Sequence, residues 1–217
     1  MIALEDVTLT VREHARRRIV LRGASHRFGP GIVHLSADPA DDARLLIELL
    51  AGFCRAESGS VQGRGLRSWP LARFAPFGMY MTGLDIVDTL CSLYELERRE
   101  TFQFFRRMLD QPEWLAQRFD RMPQAAQRQF AHTAFLAPDF AVYLLDLTPI
   151  LPFAEFYRRW RPLFLDRIAG KIVIMATGDH RAALRDFPGG RIRLASGRLE
   201  RAPIASPMER EAVGAPR

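Results

Sequence analysis

Apolar and polar positions alternate in short stretches at both ends of the chain and recur at helical spacing through its middle. "IALEDVTLTV" (2–11) and "RRIVLRGASHRF" (17–28) mix alternation with short apolar runs between turn residues, and predict two antiparallel strands. "GPGIVHLSA" follows as a short apolar strand after a Gly-Pro-Gly turn, the kind buried in a parallel sheet. A helix is expected over 39–52, with Leu45, Leu46, Leu49 and Leu50 on one face, and then a turn-rich hairpin over 57–69. From Gly83 to about Phe119 the period is helical through "LDIVDTLCSLYEL", "ETFQFFRRML" and "EWLAQRF", and a further helix covers 124–136. "FAVYLLDL" reads as a buried strand, 153–168 as an amphipathic helix, "KIVIMAT" as another buried strand, and "RIRLASGRLER" as a hairpin around Ser196-Gly197. That order describes one α/β domain over 1–201, with an antiparallel β lobe and a helical subdomain inserted at about 83–137. Residues 202–217 are rich in Pro, Ala, Glu and Arg and are expected to form a disordered tail.

Composition removes several classes. The chain has 217 residues, 48% of them hydrophobic, but no apolar run of membrane-spanning length, and its first residues read as a strand rather than a leader. Cys54 and Cys91 lie in apolar helical patterns, as expected of reduced thiols in a cytoplasmic protein. A formal charge of +6 invites a nucleic-acid reading. Against it, Lys171 is the sole lysine, the arginines are scattered among acids, and the aromatics of "TFQFFRRM" sit at core spacing. No nucleic-acid partner is expected; an acidic partner or phospholipid suits the dense basic run at Arg16–Arg18 better.

The stretch "LSADPADDARLLIELLAG" (35–52) carries the chemical question. Its second half has the pattern of a helix that follows a phosphate-binding loop, yet its first half has no glycine and no lysine and carries Asp38, Asp41 and Asp42. "DPAD" sets an aspartate at an N-cap position, a proline at the first helical position and another acid two residues on, so the helix is expected to be capped by Asp38 or Asp41. A metal cluster of the three acids is the alternative.

With these features on the page the chain resembles the ATP-binding subunit of ABC transporters, most closely the branch exporting capsular and related polysaccharides. The resemblance runs over residues 2–201 through "IALEDVTLTV", "LLIELLAGFCRAESGSVQGRG", "SWPLA", "MTGLDIV", "DFAVYLLD", "IVIMATGDH" and "LASGRLE". It implies an ABC-type nucleotide-binding-domain fold: a P-loop NTPase-like core sheet with an antiparallel β lobe and an inserted helical subdomain. The family's working positions are replaced. Its G-x-x-x-x-G-K-S/T loop falls on residues 37–44, where the glycines become Ala37 and Asp42, the lysine Ala43 and the hydroxyl Arg44. The adenine-stacking aromatic falls on Val11 and the magnesium-coupling glutamine on Gly78. The signature falls on Met122, Pro123, Gln124, Ala125 and Ala126. The metal-side carboxylate is retained as Asp146, the catalytic glutamate is Leu147, and the switch histidine falls on Gly178, with His180 read as a helix start.

The resemblance therefore implies a pseudo-ATPase, with no catalytic residues, nucleotide, metal or other cofactor expected. Family members pair head to tail, each ATP lying between one subunit's loop and the other's signature. A chain lacking both would impair both composite sites of a heterodimer and have none as a homodimer. The expected role is a scaffold or regulator, cytoplasmic and peripheral at the inner face of the membrane, docked on a permease or an ABC ATPase subunit through Trp69, Phe74, Phe77, Met79 and Tyr80. Two alternatives stand beside it: a weak NTPase with ligands rearranged around Asp146 and Arg44, taking ATP and magnesium, and a free-standing interaction domain in glycan assembly.

Overall fold

The computed structural model describes residues 1–13, 16–71, 77–146, 154–178 and 181–202. The expected tail from 203 onward, and with it Phe74, Leu147 and His180, lies outside the described residues. Strands β1 (Ile2–Glu13), β2 (Arg16–Phe28) and β3 (Gly31–Ala37) lead into helix α1 (Asp41–Ala51) and strand β4 (Ser58–Gly63). Helices α2 (Gly83–Tyr94), α3 (Arg98–Met108) and α4 (Gln124–Leu136) follow. Strand β5 (Val142–Asp146), helix α5 (Ala154–Ile168), strand β6 (Ile172–Ala176), helix α6 (Arg181–Asp186) and strands β7 (Gly190–Ala195) and β8 (Arg198–Arg201) complete the order.

Two sheets result, one of order β2-β1-β4 and one of order β5-β6-β3-β7-β8. In the second, β5, β6, β3 and β7 are parallel, and Leu35, Ala176 and Asp146 lie side by side in register. The strands read as continuous apolar runs because both faces are covered. Val142, Leu144, Ile172 and Ile174 turn toward α1 and the antiparallel lobe, whereas Tyr143, Leu145, Val173 and Met175 turn toward the helical side. The Ser196-Gly197 hairpin is confirmed, both residues having positive φ as a tight two-residue turn requires.

Three expected elements differ. The hairpin over 57–69 is not formed: only Ser58–Gly63 is a strand, and it pairs with β1. Beyond it the chain runs along the free edge of β5, where the amides of Ser68 and Leu71 donate to the carbonyls of Val142 and Leu144 at 2.9 and 3.0 Å. An edge of a buried sheet needs partners for its backbone groups, and that demand outweighs the local turn signal. The segment "EWLAQRF" forms two 3-10 turns, Pro112–Ala116 and Phe119–Arg121, instead of an α-helix. The first of these turns lies directly against Gly83 at the start of α2, where a Cβ would stand 2.7 Å from Leu115 Cα. Helix α1 begins at Asp41, two residues later than expected.

The helical side of the core is aromatic. Trp69 is only 5% exposed and lies among Phe77, Tyr94, Phe135 and Phe140, with ring centroids 5.5–6.2 Å away. Helix α5 is tied to the inserted helices by polar contacts. The Trp160 indole donates to the His132 carbonyl at 3.0 Å, and Arg159 reaches the Met108 carbonyl and the Asp110 carboxylate.

Two histidines sit within this packing. His34 on β3 has its Nε2 2.6 Å from the Phe187 carbonyl, which requires a proton there, so Nδ1 accepts from the Thr177 hydroxyl at 3.1 Å. Burial lowers the His34 pKa, the Phe187 bond opposing it, and burial pushes His132 down to about 4. The folded state therefore holds both neutral, while the unfolded chain takes up protons as pH falls below the ordinary value of 6.5. Stability is fully present above that value and is expected to decline as pH drops from 6.5 toward 4, by up to about 1.4 kcal/mol per pH unit for His132, and His34 contributes in the same direction. Urea unfolding at a series of pH values checks this. His132→Gln should flatten the slope, and an unchanged slope in that variant would refute the assignment.

Candidate functional site

In open parallel sheets, ligands are bound beyond the carboxyl ends of the strands. Here that edge gathers Ala37 at the end of β3, Asp146 at the end of β5, Thr177 and Gly178 after β6, and the start of α1. The sequence candidates from the loop, Asp146 and Gly178 thus share one edge of the sheet.

The turn from β3 to α1 is held by its own backbone. The Asp38 amide donates to the Leu194 carbonyl at 3.3 Å, the Asp42 amide to Pro39 at 3.1 Å and the Ala43 amide to Ala40 at 3.2 Å. Ala40 occupies the N-cap position in a right-handed helical conformation, with no side-chain cap. Capping by Asp38 or Asp41 is therefore overturned, as is Pro39 at the first helical position: main-chain carbonyls already take the amides that a capping carboxylate would have served.

Asp42 has a different partner. It is 4% exposed, and both its carboxylate oxygens accept from Nη1 of Arg18 on β2, at 2.6 and 2.7 Å. Arg18 pairs in register with Val11, so one arginine links the antiparallel lobe at Val11 to the loop at Asp42. Asp41 is exposed and lies 3.7 Å from Arg44, which also approaches Glu48 at 3.9 Å. Asp41 and Asp42 thus turn to different arginines, and among the described residues no group of three His, Cys, Asp or Glu side chains could hold a metal ion. Ala43 is buried in the core beneath the lobe.

The other positions lie as follows. Gly78 is exposed at the start of a turn in which its carbonyl accepts the Met81 amide at 3.0 Å. Pro123 immediately precedes α4, Gln124 and Ala125 open its first turn, and Met122 and Ala126 are buried. Gly178 has φ +54 and donates its amide to the Leu35 carbonyl at 3.2 Å.

Of the aromatic surface, Trp69 is corrected to core by its burial, and Phe77 packs edge-on against it at 6.0 Å. Met79 and Tyr80 are 53% and 77% exposed. Their segment is fixed by the Asp120 amide on the Met79 carbonyl, the Phe119 amide on Met81 and the Gly83 amide on Gln117, at 2.9–3.0 Å. Arg118 stacks over the Tyr80 ring at 4.8 Å.

Comparison with known proteins now has a geometry to rest on. No protein-family model matches the chain. A bacterial ABC transporter cassette solved as a dimer superposes with a TM-score of 0.71 at 16% identity, over 93% of this chain and 97% of that one. The ATP-binding subunit of an ABC transporter gives 0.74 at 15% identity, over 98% and 93%. The fold is that of an ABC ATPase cassette. The cassette is similar in sequence to the capsule polysaccharide export ATP-binding protein CtrD of Neisseria meningitidis serogroup B, at 23% identity over 84% of this chain and 85% of that protein. It is likewise similar to the polysialic acid transport ATP-binding protein KpsT of Escherichia coli, at 22% over 86% of each. The ATP-binding protein BexA of Haemophilus influenzae matches at 26% over 46% of each chain. Two of these relatives are thus named for capsule polysaccharide export and for polysialic acid transport. Among the described residues no helix is long and apolar enough to cross a membrane.

Arg18, His34 and Thr177 were not singled out from the sequence as site residues. Arg18 lay within a conspicuous basic run, but nothing local joins it to an acid 24 residues away. Replacing Arg18 with alanine should strand a buried carboxylate and cost about 3 kcal/mol. The double substitution Arg18→Ala with Asp42→Ala should recover a large part of that loss. Urea unfolding of the four-membered cycle measures it, and purely additive effects would show the pair to be uncoupled.

Proposed function

We propose that this cassette is a non-catalytic homologue of the ATP-binding subunit in a polysaccharide export system. It would act as a scaffold or regulator docked on a membrane permease or an active ATPase subunit at the cytoplasmic face of the membrane. The observation that carries the reading is the β3–α1 turn. Its amides at Asp42 and Ala43 are turned onto backbone carbonyls, and the Asp42 carboxylate is held by Arg18. The donor set does not fit Mg-ATP. It offers no glycine amide nest and no lysine, Arg44 in place of a hydroxyl, and carboxylates where phosphate oxygens would come. The export and transport roles for which CtrD and KpsT are named support polysaccharide export as the setting.

A nucleotide at a hundredfold excess over its dissociation constant stabilises a protein that binds it by about 2.7 kcal/mol. Millimolar Mg-ATP should move the melting temperature of this cassette by nearly nothing, and phosphate release should stay at background. A shift of several degrees, or turnover, would favour the alternative NTPase built on Asp146 and Arg44.

Docking is assigned to Met79 and Tyr80, with Leu84 beside them at the start of α2. Tyr80→Ala should change stability by no more than about 0.5 kcal/mol and reduce co-sedimentation with membranes containing the permease. Trp69→Ala should instead cost about 3 kcal/mol or more, because it empties a packed aromatic site. Retention of full recruitment by a Met79→Ala, Tyr80→Ala protein would remove this surface from consideration. Failure to recover any permease with the unaltered protein would favour a free-standing interaction domain in glycan assembly.

A further inference from the structure

The far edge of the parallel sheet carries charge that the strand-end site does not use. Along β7, Ile192 and Leu194 turn into the core beneath the lobe, so Arg191 and Arg193 stand on the opposite face. Arg191 is in register with His34 and Arg193 with Ser36, and the Arg191 charge is close enough to His34 to help lower its pKa. Across the hairpin, Arg198 lies opposite Ala195 and shares that face. Arg201 lies opposite Ile192 and turns to the other face, where its charge meets His26. At about 3.3 Å per residue, Arg191, Arg193 and Arg198 are set about 6.6 Å apart along the strands, in a row about 13 Å long.

The row has a firm base and free donors. Ile192, Leu194 and Leu199 pack beneath it, and the Arg22 amide fastens the hairpin tip to β2 through the Gly197 carbonyl at 2.9 Å. Arg193 and Arg198 are exposed and Arg191 is half-buried. Among the described residues none of the three makes an ion pair or a side-chain hydrogen bond. The face sets these three arginines against one acid, Glu200, which lies opposite Arg193. Cations repeated along a line suit a linear polyanion better than a single small anion, and guanidinium donors match carboxylates. The other residues of the face are Ser36, Ala195 and Ala202, which offer no aromatic ring on which a nucleic-acid base could stack. No large exposed apolar side chain lies on β7 or β8 to enter a bilayer.

We infer that the row of Arg191, Arg193 and Arg198 binds an acidic polysaccharide, a linear glycan with carboxylates repeated along its chain. The inference rests on the preceding reading of polysaccharide export as the setting, and deepens it by making the cassette itself a contact for the glycan. Glu200 opposes binding, since it meets the glycan with like charge beside Arg193.

The test is titration with fluorescently end-labelled oligogalacturonate, which has a carboxylate on every sugar, at low and at high salt. The variant Arg191→Gln, Arg193→Gln, Arg198→Gln should bind at least about tenfold more weakly than the unaltered protein, with a flatter salt dependence. Glu200→Gln should bind more tightly. A charge-matched variant, Arg99→Gln, Arg106→Gln, Arg107→Gln, removes three exposed arginines from α3 instead and should bind as the unaltered protein does. Equal losses in the two triple variants would reduce the effect to net charge and overturn the inference, as would no binding by the unaltered protein. A row-dependent preference for single-stranded DNA or phosphatidylglycerol vesicles over the glycan would overturn it too. Melting curves check that each variant folds. Should the row variant fail to fold, Glu200→Gln decides: tighter binding supports the inference, and unchanged binding overturns it. The two readings fail separately, because ATP turnover or the lack of a permease partner overturns only the earlier one, and the glycan titration contains neither nucleotide nor membrane.

Discussion

Burial of the parallel sheet on both faces is the constraint from which the rest of the molecule follows. Strands β5 and β6 are buried on both faces, so their side chains alternate between two apolar compartments, one beneath the lobe and α1 and one beneath the helices. Polar chemistry is thereby pushed to the strand ends. Where a polar group does enter the sheet, it is fully engaged: His34 spans from β3 to Thr177 and the Phe187 carbonyl, and Ser68 meets the Leu144 amide at 2.8 Å. An unpaired group at either place would cost about 1–3 kcal/mol.

The same constraint separates the packed interior from the strand ends. The aromatic compartment around Trp69, Phe135, Phe140 and Tyr143 is closely interlocked, and large-to-small changes there are costly. The buried Asp42 carboxylate needs a cation within reach, and Arg18 on the neighbouring lobe supplies it.

What could be read from the sequence divides along the same line. The parallel strands, α4 and the Ser196-Gly197 turn were legible because period, length and turn chemistry are local signals. The path of residues 64–71 was not, because the need to cover the edge of β5 is invisible in that segment. At the site, residues 37–44 read as a departure from a phosphate-binding motif, but the local structure expected there was misread. "DPAD" has the composition of a cap, yet the amides of Asp42 and Ala43 close onto Pro39 and Ala40, and the carboxylate leaves for β2. Exposure of the aromatics was also illegible, since Trp69 and Tyr80 lie in one run and only the tertiary fold separates a core ring from a surface one.

The hold of Arg18 on Asp42 has one more consequence, which concerns concentration. A free anion occupies an arginine site in proportion to its abundance, so the site reports on its surroundings. A carboxylate carried on the chain has an effective concentration set by the fold alone, commonly millimolar or above, and it cannot be diluted away. The lobe and the core are therefore clasped in the same way whether the surrounding solution is rich or poor in small anions, and the clasp is constant where an exchangeable ligand would make it variable.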